Sequence, residues 1–398
     1  MKRRELLKNL GAVGAIGFSE IALSEEYRYS REKYGYPNYP IWNNIGIWQQ
    51  DIHSIGNWSG GYEKKFPFNS IKNKNNKKEI EISLIDDIKY GYSFKISDYF
   101  YKKPATSLLI VKDNKLIYER YGFDRNQSMR FVSWSMAKSI TGLLLGICLD
   151  KKLIDSYDDE ARKYLPKLSK SYHGSITLRN LSNMSSGAIV SQYTDNPIIY
   201  TDVFHSRTSS IERLIIGWNK SNENQGDRFN YNELCALTIG LVIKEVTKQS
   251  LSDFASDNLW SKIGATSDAV WFTDNRKMEM CSSLIGATAR DYCKLGMLIS
   301  NKGNINGNQI VSEEWINEMT TWGDKDRQVI YGKASGSAYK CFLWHFRSDG
   351  TLPCFYGHGG QRVLIDMKTN TVLVHTAVDE KLAYDKELQM IIESAGEI

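Results

Sequence analysis

Phe131-Val132-Ser133-Trp134-Ser135-Met136-Ala137-Lys138-Ser139-Ile140-Thr141-Gly142-Leu143-Leu144-Leu145-Gly146-Ile147 is the stretch that decides the reading of this chain. It holds Ser-x-x-Lys at Ser135 and Lys138, and the apolar residues that follow predict a buried helix over 135–150. An i, i+3 spacing at a helix start puts both side chains on one face, one turn apart. A serine hydroxyl is a poor nucleophile until a base takes its proton, and a neighbouring lysine amine can be that base once neutral. Burial and the positive end of the helix dipole are expected to push the Lys138 pKa down. First-turn N–H groups point to where an oxyanion would form.

The spacing alone is common. Ser-x-x-Lys also occurs at Ser30–Lys33, in a tyrosine-rich polar stretch, and at Ser337–Lys340, beside Gly336. Neither opens an apolar helix, so context singles out Ser135.

At 398 residues the chain is long enough for two structural lobes and a large core. Its 41% hydrophobic and 24% charged content is that of a globular protein. The net charge of +5 is scattered, with no basic face interleaved with aromatics, which argues against a nucleic-acid partner. The six cysteines form no Cys-x-x-Cys, and no histidine pair has ligand spacing, so neither a metal nor a cofactor is expected. Cys148 and Cys235 lie in apolar helical stretches and read as small buried hydrophobes. His53, His173, His205, His345 and His375 read as structural.

The N-terminus pairs Arg3 and Arg4 before Leu6-Leu7-Lys8 and the Gly/Ala-rich run 11–18. This resembles a twin-arginine export signal over 1–24, with small residues at Ala22-Leu23-Ser24 for cleavage. It implies a periplasmic protein; the alternative is a basic amphipathic helix on a cytoplasmic one. No other segment approaches the length of a membrane span.

Residues 25–78 read as an irregular extension, and 79–398 as the folded domain. Leu84-Ile85-Asp86-Asp87-Ile88 onward predicts a helix. Ser107–Lys112 and Lys115–Arg120, joined by Asp113-Asn114, predict a β-hairpin. Strands are predicted at Cys341–Phe346, Arg362–Asp366 and Thr371–His375, and a last helix at Tyr384–Ser394. The fold class is therefore α+β: an antiparallel sheet flanked by helices and built from both ends of the chain (79–150 and 280–398). A mainly helical lobe is inserted over 151–279.

Two further stretches complete a constellation. Gly226-Asp227-Arg228-Phe229-Asn230-Tyr231-Asn232-Glu233 leads into an apolar helix, so Tyr231 can carry its phenol into a cleft. Tyr356-Gly357-His358-Gly359-Gly360-Gln361 leads into a strand, with glycines that admit close backbone approach. With these in order, the chain resembles serine hydrolases of the β-lactamase/penicillin-binding superfamily. It is most similar to the group related to 6-aminohexanoate-dimer hydrolase and class C β-lactamase-like esterases. Ile55–Ser59, Met184-Ser185-Ser186-Gly187, Leu259–Ala265 and Gly286–Tyr292 add to the resemblance, which runs from about Ile55 to the last helix.

The resemblance implies roles. Ser135 is the acylated nucleophile, Lys138 its general base and Tyr231 the proton relay. His358-Gly359-Gly360 occupies the strand motif that is Lys-Thr-Gly in many relatives. The backbone N–H groups of Ser135 and Gln361 would form the oxyanion hole. Tyr193, Asp195 and Glu233 fall where relatives line the substrate pocket. Two departures matter. Glu233 stands where Asn or Ser is usual, and a carboxylate there either tunes Lys138 or points elsewhere. His358 replaces a lysine that would hold a substrate carboxylate, and neutral histidine is a weaker anchor. The expectation is a hydrolase of a small-molecule ester or linear amide. A β-lactamase or D-amino-acid peptidase is the alternative, and a catalytically silent ligand-binding relative the second. Oligomeric state is left open.

Overall fold

The computed structural model describes residues 68–398, except 75–76, 104, 123–124, 191–198, 200–201, 204–207, 222, 324–325, 327–337 and 378–383. The N-terminal signal, the Ile55–Ser59 stretch, Tyr193 and Asp195 lie outside the described residues.

Twelve strands carry the architecture: β1 (Phe68–Ile71), β2 (Glu81–Ile82), β3 (Ala105–Lys112), β4 (Lys115–Tyr121), β5 (Arg130–Val132), β6 (Ala269–Phe272), β7 (Ile285–Thr288), β8 (Ala338–Lys340), β9 (Leu343–His345), β10 (Pro353–Gly357), β11 (Gln361–Asp366) and β12 (Thr371–Ala377). The main sheet has the order β8-β9-β10-β11-β12-β3-β4-β2, so C-terminal strands continue directly into N-terminal ones. The two ends of the chain join at the β12–β3 pairing, with Val374 opposite Leu109 and Leu373 opposite Ile110. Neighbouring strands are antiparallel except at the edge, where β2 runs parallel to β4. The sheet is thus mixed, where an antiparallel one was expected.

Alternation along the strands sorts the side chains into two cores, because successive residues point to opposite faces. Leu109, Val111, Val363, Ile365, Val372 and Val374 face the larger core. Leu108, Ile110, Leu364 and Leu373 face the smaller one. The larger face is covered by helices α1 (Met136–Asp150) and α3 (Ala289–Ser300), the smaller by α4 (Asp385–Gly396), while α2 (Glu233–Thr247) packs on α1. Helix α1 is buried from Met136 to Cys148, as its apolar run demands.

The β3–β4 hairpin turns through Asp113 and Asn114, both at positive φ, as a two-residue turn requires. Between β8 and β9 the turn is Cys341-Phe342, again both at positive φ. These two were expected to begin a strand. Instead the turn seats α1: Ser139 Oγ donates to the Phe342 carbonyl at 2.7 Å, and a Cβ on Gly142 would lie 2.7 Å from the Cys341 carbonyl.

Two other expectations are corrected. Leu84–Ile88 is not helical; the backbone N–H groups of Ser83 and Ile85 instead follow the edge of β4, and the first helix there is Ile96–Lys102. Phe68–Ile71, expected to be irregular, is a strand. It pairs with β6 in a second sheet of order β1-β6-β7-β5. That sheet matters for the site, since β5 delivers the chain to Ser135.

Candidate active site

Strand β5 ends at Val132, and the chain must turn sharply to enter α1. Trp134 makes the turn with φ +46°, a left-handed conformation costly for a large residue. Ser133 over-determines it. Its N–H donates to the Ile285 carbonyl at 2.7 Å, and its hydroxyl donates to the Trp134 carbonyl at 2.8 Å. The Ile285 N–H donates back to the Ser133 hydroxyl at 2.9 Å. Ser135 follows as the N-cap of α1, half-buried, with Lys138 one turn on and buried.

Lys138 Nζ lies 3.1 Å from Ser135 Oγ, 2.8 Å from Glu233 Oε2 and 2.8 Å from the Ser282 carbonyl oxygen. It also sits 4.8 Å from the centroid of the Tyr231 ring. Glu233, expected along the pocket, is buried and aimed at Lys138 instead. Asn232 brings it there. The Asn232 side chain accepts the Cys235 N–H at 3.2 Å and so caps α2, whose first residue is Glu233.

The charge state of Lys138 reverses the expectation. Burial disfavours its ammonium, but the Glu233 carboxylate and Tyr231 more than offset this and hold its pKa above the ordinary lysine value. The sequence left open whether Glu233, 95 positions away, faces Lys138. Burial raises the Tyr231 phenol and Glu233 raises it further, opposed by Lys138 and by hydrogen bonds to Ser135 and Lys138. The resting site thus holds an ammonium and a protonated phenol around one serine hydroxyl.

The His358–Gly360 segment is a tight turn between β10 and β11, with Gly359 and Gly360 at positive φ. Its imidazole lies edge-on to Trp134, with ring centroids 5.4 Å apart. Gln361, named for its backbone N–H, has a buried side chain that clamps this turn. Its Nε2 donates to the carbonyls of His358 (3.1 Å), Gly359 (3.0 Å) and Ala377 (2.8 Å). Beneath it, the buried imidazole of His375 lies with Nδ1 2.7 Å from the Gly360 carbonyl and Nε2 2.9 Å from the Tyr99 hydroxyl. A donor is needed toward a carbonyl, so Nδ1 carries the proton and Nε2 accepts from Tyr99.

Sequence reasoning missed the aromatic wall around Tyr231. Its ring centroid lies 5.7 Å from that of Trp344 and 5.8 Å from that of Tyr339, with Phe229 at 6.4 Å. Trp344 in turn meets Tyr356 at 5.5 Å. Phe229, two residues before Tyr231, was the available signal. The Arg362 guanidinium is committed elsewhere. It stacks on Tyr356 and donates to Asp385 and to the Gly357 and Gln361 carbonyls. Among the described residues no cluster of His, Cys, Asp and Glu is arranged to hold a metal ion, and no helix is long and apolar enough to cross a membrane.

Comparison with known proteins agrees with this geometry. A family model described as Beta-lactamase matches residues 98–391. The chain is 22% identical over 288 residues to the 6-aminohexanoate-dimer hydrolase of Paenarthrobacter ureafaciens, covering 67% of this chain and 71% of that one. A solved structure from Bacillus anthracis, provisionally named a 6-aminohexanoate-dimer hydrolase, superposes with a TM-score of 0.73 at 22% identity, over 87% of this chain and 92% of that one. Another, from Bacteroides dorei and provisionally named a beta-lactamase, gives 0.61 at 18% identity, over 76% and 96%. The matched segment holds Ser135, Lys138, Tyr231 and the His358 turn, and the chain belongs to the beta-lactamase family of serine hydrolases.

Proposed function

We propose that this protein hydrolyses an ester or linear amide bond through an acyl-enzyme on Ser135. The observation that carries the reading is the 3.1 Å approach of Lys138 Nζ to Ser135 Oγ at the start of a buried helix. Lys138, once neutral, takes the serine proton as Oγ attacks the carbonyl carbon. Tyr231, protonated at rest and hydrogen-bonded to both residues, passes a proton to the leaving group and later helps to activate water. The N–H groups of Ser135 and Gln361 receive the oxyanion, and the clamped turn keeps Gln361 in place.

Preference for an uncharged ester or amide over a β-lactam or D-peptide rests on the fixed charges. Lys138 is matched by Glu233 and Arg362 by Asp385. His358 stands where a lysine would anchor a substrate carboxylate. The aromatic wall of Phe229, Tyr231 and Trp344 suits an apolar group beside the scissile bond.

The test is turnover of p-nitrophenyl esters and of a linear amide of 6-aminohexanoate, beside labelling by a fluorescent penicillin. Ester or amide turnover lost in Ser135→Ala, with little penicillin labelling, is expected. Stoichiometric penicillin labelling of Ser135 with no ester turnover would favour the β-lactam reading. A folded protein that forms no acyl adduct with any of them would leave a silent binding relative.

A further inference from the structure

Lys138 Nζ is held by the Ser135 hydroxyl, the Tyr231 phenol, the Glu233 carboxylate and the Ser282 carbonyl. The last two can only accept. An ammonium has three N–H donors and no lone pair, so in the resting ion pair nothing on Lys138 can take the Ser135 proton. A base is therefore missing from the resting arrangement unless Lys138 can shed a proton within the site. Glu233 Oε2 is the acceptor in reach.

We propose that Glu233 is a positioning residue that completes the base, so that the Lys138–Glu233 pair, and not Lys138 alone, removes the Ser135 proton. The inference rests on the acyl-enzyme reading above. As Oγ forms its bond to the carbonyl carbon, the Ser135 proton moves to Lys138 Nζ. Lys138 passes one of its own protons to Glu233 Oε2. The carbonyl π pair moves to oxygen. On collapse the bond to the leaving group breaks, and the proton held on Glu233 returns through Lys138 and Tyr231 to the leaving atom. No proton is gained or lost over the step.

Burial suits this exchange. Glu233 and Lys138 are both nearly inaccessible, so the charged pair is expensive to keep and the neutral amine–acid pair is correspondingly less costly to reach. The groups that face Lys138 are few. Ser135 is on its own helix, Tyr231 and Glu233 come from the start of α2, and the Ser282 carbonyl comes from the segment before β7. Cys235, one turn into α2, feels both charges, and burial pushes its thiol up to about 11, so it stays neutral.

The pair shares one removable proton, and that gives the proposal its signature. Between the two macroscopic titrations of the pair the reactive tautomer is a constant fraction of the enzyme. The rate of Ser135 modification should then be independent of pH over that range. A lone lysine with a raised pKa would instead give a rate climbing about tenfold per pH unit toward that pKa.

The experiment is the second-order rate of inactivation by a fluorophosphonate from about pH 6 to about pH 9, in wild type, Glu233→Gln and Glu233→Asn. Wild type is expected to be flat. Both variants are expected to lose the plateau and to follow a single titration of Lys138, the rate climbing with pH until the amine, no longer held protonated by the carboxylate, is neutral. The wild-type profile tests the proposal even if a variant fails to fold: a steady climb in wild type overturns it. Flat profiles in folded Glu233→Gln and Glu233→Asn also overturn it, while leaving the serine-hydrolase reading intact. Absence of any Ser135 adduct in wild type would sink both.

Discussion

Gly357→Ala isolates the contact that couples the His358 turn to the nucleophile. Gly357 is extended (φ −122°, ψ 152°), a conformation that alanine also adopts, so backbone strain does not enter. Space does. A Cβ there would lie 2.2 Å from the Ser133 carbonyl oxygen, 2.9 Å from Gln361 Cβ and 3.3 Å from Met136 Cγ. An ordinary contact is ~3.5 Å, so turn and nucleophile strand must part by about 1 Å. The Ser133 carbonyl accepts the Met136 N–H at 3.2 Å and cannot move without moving Ser135. Overpacking of this kind costs about 1–3 kcal/mol. A displacement of about 1 Å between reacting groups costs on the order of 10²-fold in rate. The assay is burst-phase acylation by p-nitrophenyl acetate together with the urea midpoint. Gly217→Ala, at a helical position with open space, serves as the control and should leave acylation unchanged and not lower the midpoint. Unchanged acylation and midpoint in Gly357→Ala would refute the claim that the turn is pressed against the nucleophile.

Three further outcomes follow from burial and charge. Burial depresses His173 to about 4 and both His345 and His375 to about 3, from an ordinary 6.5. The unfolded chain therefore binds protons that the folded one refuses, and stability present above pH 6.5 is lost as pH falls below it. Each histidine costs about 1.4 kcal/mol between about pH 7.5 and about pH 5.5, about 4 kcal/mol for the three. Equal urea midpoints at these two pH values would contradict this. All six cysteines are buried and unpaired, with Cys148 and Cys341 pushed up to about 12. Iodoacetamide should spare the native protein and modify six thiols after denaturation; rapid native labelling would show that the core opens. Tyr231→Phe should slow acylation by about 10²–10⁴-fold at unchanged stability, and wild-type rates would remove Tyr231 from the proton path.

What was legible in the sequence was local. The α1 run, the Asp113-Asn114 turn and the strand pair before the last helix each carry their signal within one short continuous stretch, and each stands where expected. What was not legible depends on pairing across the chain. Phe68–Ile71 is a strand only because β6, some two hundred residues later, offers it an edge. Cys341 and Phe342 look like strand residues by side chain, yet the short hairpin and its seat on Gly142 force them into a left-handed turn. Ser135 and Lys138, singled out by spacing and context, lie within hydrogen-bond reach of each other, and Tyr231, singled out by order along the chain, lies beside Lys138. The direction of the Lys138 shift was misjudged, since burial was visible in the apolar helix and the orientation of the Glu233 carboxylate was not. Glu233 was noticed as a departure from the usual motif, but its target only emerged from the packing of α2 on α1.

The central claim is that Ser135 is an activated nucleophile. Intact mass after incubation with a fluorophosphonate, in wild type and Ser135→Ala, tests it most directly. The account predicts one adduct in wild type, mapped to Ser135, and none in the variant. Absence of an adduct in folded wild type, or an equal adduct in both proteins, would contradict it.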